Sequence, residues 1–198
     1  MRRIGVLALQ GDVSEHVAAL ESAIESLGEE INVCPFRYPD EAGRLDAIVL
    51  PGGESTTLGK LLGKHNVFDV IREKAIAGTP ILATCAGMIL MAKEGGAVVE
   101  KTGQPLLGVM DVRVERNAFG RQKESFETPL CIPVLGARKF PAVFIRAPAV
   151  SKVWGDANVL ARYGRKAVLV RQGRMLSAAF HPELTEDIRL HEYFLGMI

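Results

Sequence analysis

The chain has 198 residues, 48% hydrophobic and 24% charged, an ordinary globular balance sufficient for one domain with its own core. Its 24 basic and 23 acidic side chains leave a formal net charge of +1, which excludes an overall field drawing it to nucleic acid or to a membrane surface. No apolar stretch approaches the about 20 residues of a membrane helix. Three cysteines, Cys34, Cys85 and Cys131, lack C-x-x-C spacing, which argues against a disulfide framework or zinc knuckle and for a reducing cytoplasm.

The opening "MRRIGVLALQGD" has a basic pair and a short apolar run, but polar and acidic residues come at once after it. It reads as a first strand over 3–9, not a signal peptide. Asp12 or Ser14 can cap a first helix, since "VSEHVAALESAIESLG" carries Val17, Leu20, Ile24 and Leu27 at helical spacing and stops at Gly28. "INVCPF" and "LDAIVLPGG" read as strands two and three. "VFDVIREKAIAG" is an amphipathic helix ended by Gly78, "PILAT" a strand, and "AGMILMAKEGG" a helix. This alternation, with near-continuous apolar strands, predicts a parallel sheet covered on both faces.

The second half differs. In "GVMDVRVERNAFG", Met110, Val112 and Val114 face one way and Asp111, Arg113 and Glu115 the other. "AVFIRAP", "NVLARYG", "KAVLVRQG" and "RMLSAAFHP" read as short antiparallel strands, added at the sheet's edge or folded as a small subsheet. "TEDIRLHEYFLGMI" predicts a closing helix with Thr185 as N-cap and Glu186 and Asp187 in its first turn. With no repeat, linker or low-complexity tract, this is a single α/β domain spanning 1–198.

Ligands on such sheets bind beyond the carboxyl ends of the strands. Gln10-Gly11, "PGGEST" (51–56) and Cys85 all fall there. Cys85 sits at a sharp strand-to-helix junction where Ala86 and Gly87 leave room for the chain to reverse, and the helix's positive end favours thiolate. Cys34 and Cys131, in ordinary strand contexts, read as buried core thiols. Of four histidines, His16, His65 and His191 read as surface or interface residues. His181 ends a strand and opens "HPE". Pro182 disfavours helix at His181, and residues two apart on an extended segment point the same way, so Glu183 can orient the imidazole. The amides of Gly53 and Ala86 would then form an oxyanion hole, each donor contributing roughly 3 kcal/mol to an acyl-transfer transition state.

The cysteine with a distant His-Pro-Glu on an α/β domain of this size resembles the class I, triad, glutamine amidotransferases. "GVLALQGDVSEH", "LPGGESTTLGKLL", "TCAGMILMAKE", "VERNAFGRQKESFE", "VFIRAP" and "FHPELTED" narrow the resemblance to the glutaminase subunits of pyridoxal 5'-phosphate synthase. Sibling amidotransferases usually carry a Gln shortly after the cysteine's Gly, whereas Gly87 is followed by Met88 and Ile89.

The resemblance implies a three-layer αβα, flavodoxin-like fold. It makes Cys85 the nucleophile, His181 the general base and acid, and Glu183 its orienter. Gly53, Glu54, Ser55, Arg116, Ile145 and Arg146 would hold L-glutamine, with Gln10 bordering the site and no metal or cofactor. It further implies ammonia transfer to a synthase subunit, a (β/α)8 barrel, docked by the first-helix face and the active-site rim. "RNAFGRQKESFE" (116–127) is either part of that surface or a solvated loop. Rival readings are the glutaminase of a different amidotransferase, another cysteine hydrolase with a strained Cys elbow, and a regulatory module that only binds glutamine. The second needs no His-Pro-Glu, and the third would tolerate loss of a triad member.

Overall fold

The computed structural model describes residues 1–119 and 125–198. In chain order its elements are β1 (Arg2–Leu7), α1 (Val13–Leu27), β2 (Ile31–Phe36), α2 (Pro39–Gly43), β3 (Ala47–Leu50), α3 (Ser55–Lys64), α4 (Phe68–Ile76), β4 (Ile81–Thr84), α5 (Ala86–Met91), β5 (Ala92–Gly95) and α6 (Ala97–Thr102). Then come β6 (Met110–Glu115), β7 (Ser125–Leu130), β8 (Phe140–Ile145), β9 (Ala149–Val153), β10 (Asn158–Tyr163), β11 (Lys166–Gln172), β12 (Met175–Ala178) and α7 (Arg189–Leu195).

β3 and β4 are buried at every residue, as apolar runs without alternation require of central strands. The main sheet runs β2-β1-β3-β4-β12-β11-β9-β6-β5, with β10 paired to β11. From β2 through β12 every pairing is parallel, and the pairings among β12, β11, β10, β9 and β6 are antiparallel. The chain moves one way from β1 to β2, then reverses to β3 on the other side of β1. Right-handed crossovers therefore send α1 to one face and the helices after β3 to the other. Packing agrees: α1 lies on α7, while α3 meets α4 and α5. The α/β reading holds, and both proposed fates of the second half occur, because β7 and β8 form a separate two-stranded sheet.

Several expectations need correction. The helix of "AGMILMAKEGG" ends at Met91 and the rest becomes β5, parallel to β6. The reason is tertiary: the Leu107 and Val109 amides take the carbonyls of Leu90 and Met91, leaving no i+4 partner to prolong the helix. β12 is no edge addition. It lies between β4 and β11, parallel to β4, because its burial on both faces suits the sheet's centre. Thr185 does not cap a helix. Its hydroxyl donates to the Pro182 carbonyl and accepts from the Asp187 amide, closing a turn, and α7 starts only at Arg189. Neither Asp12 nor Ser14 makes a side-chain cap on α1. Cys34 is half-buried on edge strand β2, and Cys131 is exposed beyond the end of β7. The stretch 116–127, weighed as docking surface or loop, lies partly outside the described residues.

Gly87, one residue into α5, shows how tightly the helix seats on the sheet. A Cβ there would stand 2.4 Å from the Leu50 carbonyl oxygen and 3.1 Å from Leu50 Cβ. Backbone cannot yield as a flexible side chain can, so Gly87→Ala should destabilise the fold by about 1–3 kcal/mol. Urea unfolding tests this; a midpoint equal to that of the parent would contradict the close seating of α5.

Candidate active site

β1, β3, β4 and β12 are neighbours and parallel, so their carboxyl ends open on one rim. That rim gathers Gln10-Gly11, Gly52-Gly53, Cys85 and His181. Cys85 follows β4 directly, and its amide donates to the Ala178 carbonyl of β12 at 2.8 Å. The bond fixes the nucleophile's strand against the strand that leads to His181. Cys85 has φ 46° and ψ −101°, an elbow costing about 1–3 kcal/mol that throws the side chain off the sheet. Its thiol is 3.8 Å from the Ile145 carbonyl oxygen.

The elbow opens into a cavity of about 410 Å³ whose wall includes Cys85, His181, Glu54, Arg116, Ile145 and Arg146. Asp12, Gly53, Ser55 and Asn117 also line it. Among the described residues four non-glycines have positive φ, and three of them, Cys85, Asn117 and Arg146, line this cavity. Strain concentrated in one place marks a site whose geometry the rest of the fold enforces.

His181 Nδ1 lies 2.7 Å from Glu183 Oε1, and both side chains are almost wholly buried. Pro182 and Glu183 form a single 3-10 turn after the extended His181, which brings the carboxylate round to the ring. The ring also closes on Gly52: an added Cβ there would be 2.5 Å from His181 Cε1 and 3.4 Å from Cys85 Cβ. Only glycine lets imidazole and elbow share this space. Burial pushes the His181 pKa down, but hydrogen bonding to Cys85 and Glu183 and their charges outweigh it and raise it to about 10. Burial also pushes the Glu183 carboxyl up, against the pull of the His181 hydrogen bond and charge. Asp12, His181 and Glu183 lie within 4.8 Å of one another, close enough to be considered as metal ligands. The short Nδ1–Oε1 hydrogen bond already joins two of the three, which suits the group to handling a proton.

At the cavity's other end Glu54 caps α3, its Oε2 accepting from the Thr57 amide at 2.7 Å while Oε1 meets Arg116 Nη2 at 2.7 Å. Burial pushes the Glu54 carboxyl up, but the Thr57 and Thr56 amides, the Thr57 hydroxyl and the Arg116 charge bring it down to about 2. Arg116 also donates to Thr56 Oγ1 at 2.9 Å, and Ser55 Oγ donates to Gln104 Oε1 at 3.1 Å. Gln10, which the resemblance gives as a border of the site, packs on Gly53, which has φ 131°.

Of the residues the sequence proposes for the site, Gly53, Glu54, Ser55, Cys85, Arg116, Ile145, Arg146 and His181 line this cavity, and Glu183 lies behind the His181 ring. Asp12 and Asn117 join them on the wall, and Gln104 behind it, without a signal in the sequence pointing to the site. Asp12, a candidate helix cap by sequence, instead places its Oδ2 3.3 Å from His181 Nδ1. His16 and His191, read as surface or interface residues, are fully buried. A signal exists for both. His16 falls three residues after Val13 and four before Leu20, and His191 three before Phe194, so each lies on its helix's apolar stripe.

The model of the SNO glutamine amidotransferase family matches residues 6–198. The chain belongs to that family. It is 52% identical to "Pyridoxal 5'-phosphate synthase subunit PdxT" of Pelotomaculum thermopropionicum over 98% of this chain and 93% of that one. It is likewise 52% identical to the protein so named in Methanopyrus kandleri, over 99% and 100%. A solved structure described as a glutamine amidotransferase superposes with a TM-score of 0.85 at 47% identity, covering 98% of this chain and 97% of that one. PurLQS of Thermotoga maritima shares the fold alone, at TM-score 0.63 and 15% identity, over 100% and 97%.

The electrostatics of this amidotransferase site predict a pH signature. Across the interval from the ordinary histidine value of 6.5 to about 10 the folded chain keeps a proton on His181 that the unfolded chain releases. The stabilisation from this group is therefore present below 6.5 and is lost as pH rises through about 10. Cys85→Ala removes one of the two partners that raise the ring, so His181 should titrate at markedly lower pH in that variant, as followed by imidazole NMR shifts. An unshifted titration would contradict the coupling of ring and sulfur.

Proposed function

We propose that this chain is the glutaminase subunit of a pyridoxal 5'-phosphate synthase. It hydrolyses L-glutamine to L-glutamate and ammonia and delivers the ammonia to a synthase subunit, in the cytoplasm. The observation that carries the reading is that Cys85 and His181 line one cavity, with Glu183 hydrogen-bonded behind the ring, in a chain half identical, end to end, to proteins named as that subunit.

The chemistry follows from the arrangement. Cys85 Sγ attacks the side-chain amide carbon of glutamine, a C–S bond forms, and the carbonyl oxygen gains charge. The amides of Gly53 and Ala86 serve as its donors. His181, protonated, gives its proton to the amide nitrogen, the C–N bond breaks and ammonia leaves. His181 then takes a proton from water as the oxygen attacks the thioester. The C–S bond breaks, the sulfur leaves as thiolate beside the His181 imidazolium, which restores the starting pair, and glutamate is released. Glu183 holds the ring's orientation and offsets its positive charge through both steps. The substrate's zwitterionic end matches the Glu54–Arg116 pair, ammonium on Glu54 and carboxylate on Arg116, with Ser55, Ile145 and Arg146 completing the wall.

Free ammonia protonates in neutral water and loses its nucleophilicity, so a subunit of this kind needs a docked consumer. The resemblance supplies it as a (β/α)8 barrel meeting the α1 face and the active-site rim. The Gly52 carbonyl rests on Gly11, and its peptide lies between two glycines that can turn at little cost. Docking is the event that sets the Gly53 amide in its oxyanion position, so the free subunit is a poor glutaminase. Equal rates of glutamine hydrolysis with and without synthase would refute this activation.

Cys85→Ala should abolish glutamine-dependent synthesis of pyridoxal 5'-phosphate by the complex and leave ammonium-fed synthesis intact. Loss of both would contradict the division of labour. Arg116→Met should raise KM for glutamine about tenfold or more, with kcat less affected, as expected for a lost carboxylate partner. An unchanged KM would remove Arg116 from the substrate site.

A further inference from the structure

His16 lies on α1, outside the Cys85–His181–Glu183 set, and it is fully buried. Its Nε2 is 3.1 Å from Thr84 Oγ1, on the residue before Cys85, and 3.4 Å from Glu183 Oε1. One ring nitrogen thus touches both the strand end that carries the nucleophile and the carboxylate that orients the base. We infer that His16 is a positioning residue for the triad, its Nε2–H directed between the Thr84 hydroxyl and the Glu183 carboxylate.

Burying Glu183 carries a cost. A carboxylate taken out of water needs compensating donors, and Glu183 Oε2 has no hydrogen-bond partner among the described residues. Around the carboxylate stand His181 on its own turn, Asp12 just before α1 and His16 on α1, with Thr84 across His16 Nε2 beside the elbow. Asp12 is negative and opposes ionisation of Glu183. His16 is then the one neighbour from α1 that can favour it, provided that it is neutral and carries its proton on Nε2. Burial above all, helped by the charge of His181, holds the His16 imidazole well below its ordinary value and so neutral. His191, whose ring meets His16 edge-on at 6.1 Å, is itself driven by burial down to about 4 and adds no positive charge at neutral pH. Facing a carboxylate, the Nε2–H tautomer is the favoured one. Asp12, just before α1, and His16, in its first turn, thus reach the two members of the imidazole–carboxylate pair from the same helix end.

The inference rests on the triad reading, and the test separates the two. In the complex with synthase, His16→Leu should lower glutaminase kcat about 10- to 100-fold with KM for glutamine little changed. The basic limb of its pH profile should move to lower pH, because a weakened Glu183 supports the His181 imidazolium less. The His181 titration should move the same way by NMR, and His16→Gln, which keeps an N–H donor, should recover part of both. In the unsubstituted chain, nitrogen-15 shifts should report His16 as neutral with the proton on Nε2; this needs no variant to fold. A proton on Nδ1, or a loss of kcat with pH profile and His181 titration unmoved, would overturn the inference while leaving the triad. A His181→Asn variant that still hydrolysed glutamine would overturn the triad, and the inference with it.

Discussion

The 2.7 Å hydrogen bond between His181 Nδ1 and Glu183 Oε1, made out of water, is the interaction on which the site depends. A buried imidazole would ordinarily stay neutral, and a buried carboxylate would take up a proton. With the Cys85 sulfur beside them, they hold a proton on the ring, where a leaving amide nitrogen needs one. The arrangement is local, since three consecutive residues and one turn provide both groups. Its surroundings are not. β12 delivers His181, β4 delivers Cys85, β3 delivers the glycines, and β1 leads to Gln10 and α1. The parallel block turns four separate chain segments into neighbours on one rim, and the reversal of direction between β1 and β3 leaves that rim open.

The space around the ring is as constrained as its charge. Gly52 is held to hydrogen by His181 and the Cys85 elbow, and Gly87 by the Leu50 carbonyl beneath α5. Both glycines lie at the junction where the chain leaves the sheet, so backbone shape and catalytic geometry are a single requirement. At the far end, Glu54 caps a helix and pairs with an arginine, which fixes a charge pair in the cavity before any substrate arrives.

Much of this is legible in the sequence because it is written in short-range chemistry. A fully buried strand running into Cys-Ala-Gly marks a sharp turn, and His-Pro-Glu restricts its own backbone. The parts that are not legible depend on distant partners. α3 escapes a sequence reading because Gly59, Gly63 and paired threonines depress helix propensity, although Glu54 caps it. β7 and β9 alternate weakly and draw their order from pairing with β8, β6 and β11. Arg116 and Arg146 look like any surface arginines until the fold brings them to Cys85, and only family resemblance selects them. His16 looks like a surface residue by type, while its position on the apolar stripe already places it inside.

The central claim is that the Cys85 sulfur, assisted by His181, attacks a glutamine side chain in this cavity. A diazo-ketone analogue of glutamine tests it most directly, with the modified residue located by peptide mass mapping in the presence of synthase. The account predicts modification at Cys85, prevented by glutamine and greatly slowed in a His181→Asn variant. Failure to modify Cys85, or modification there that glutamine does not prevent, would contradict it.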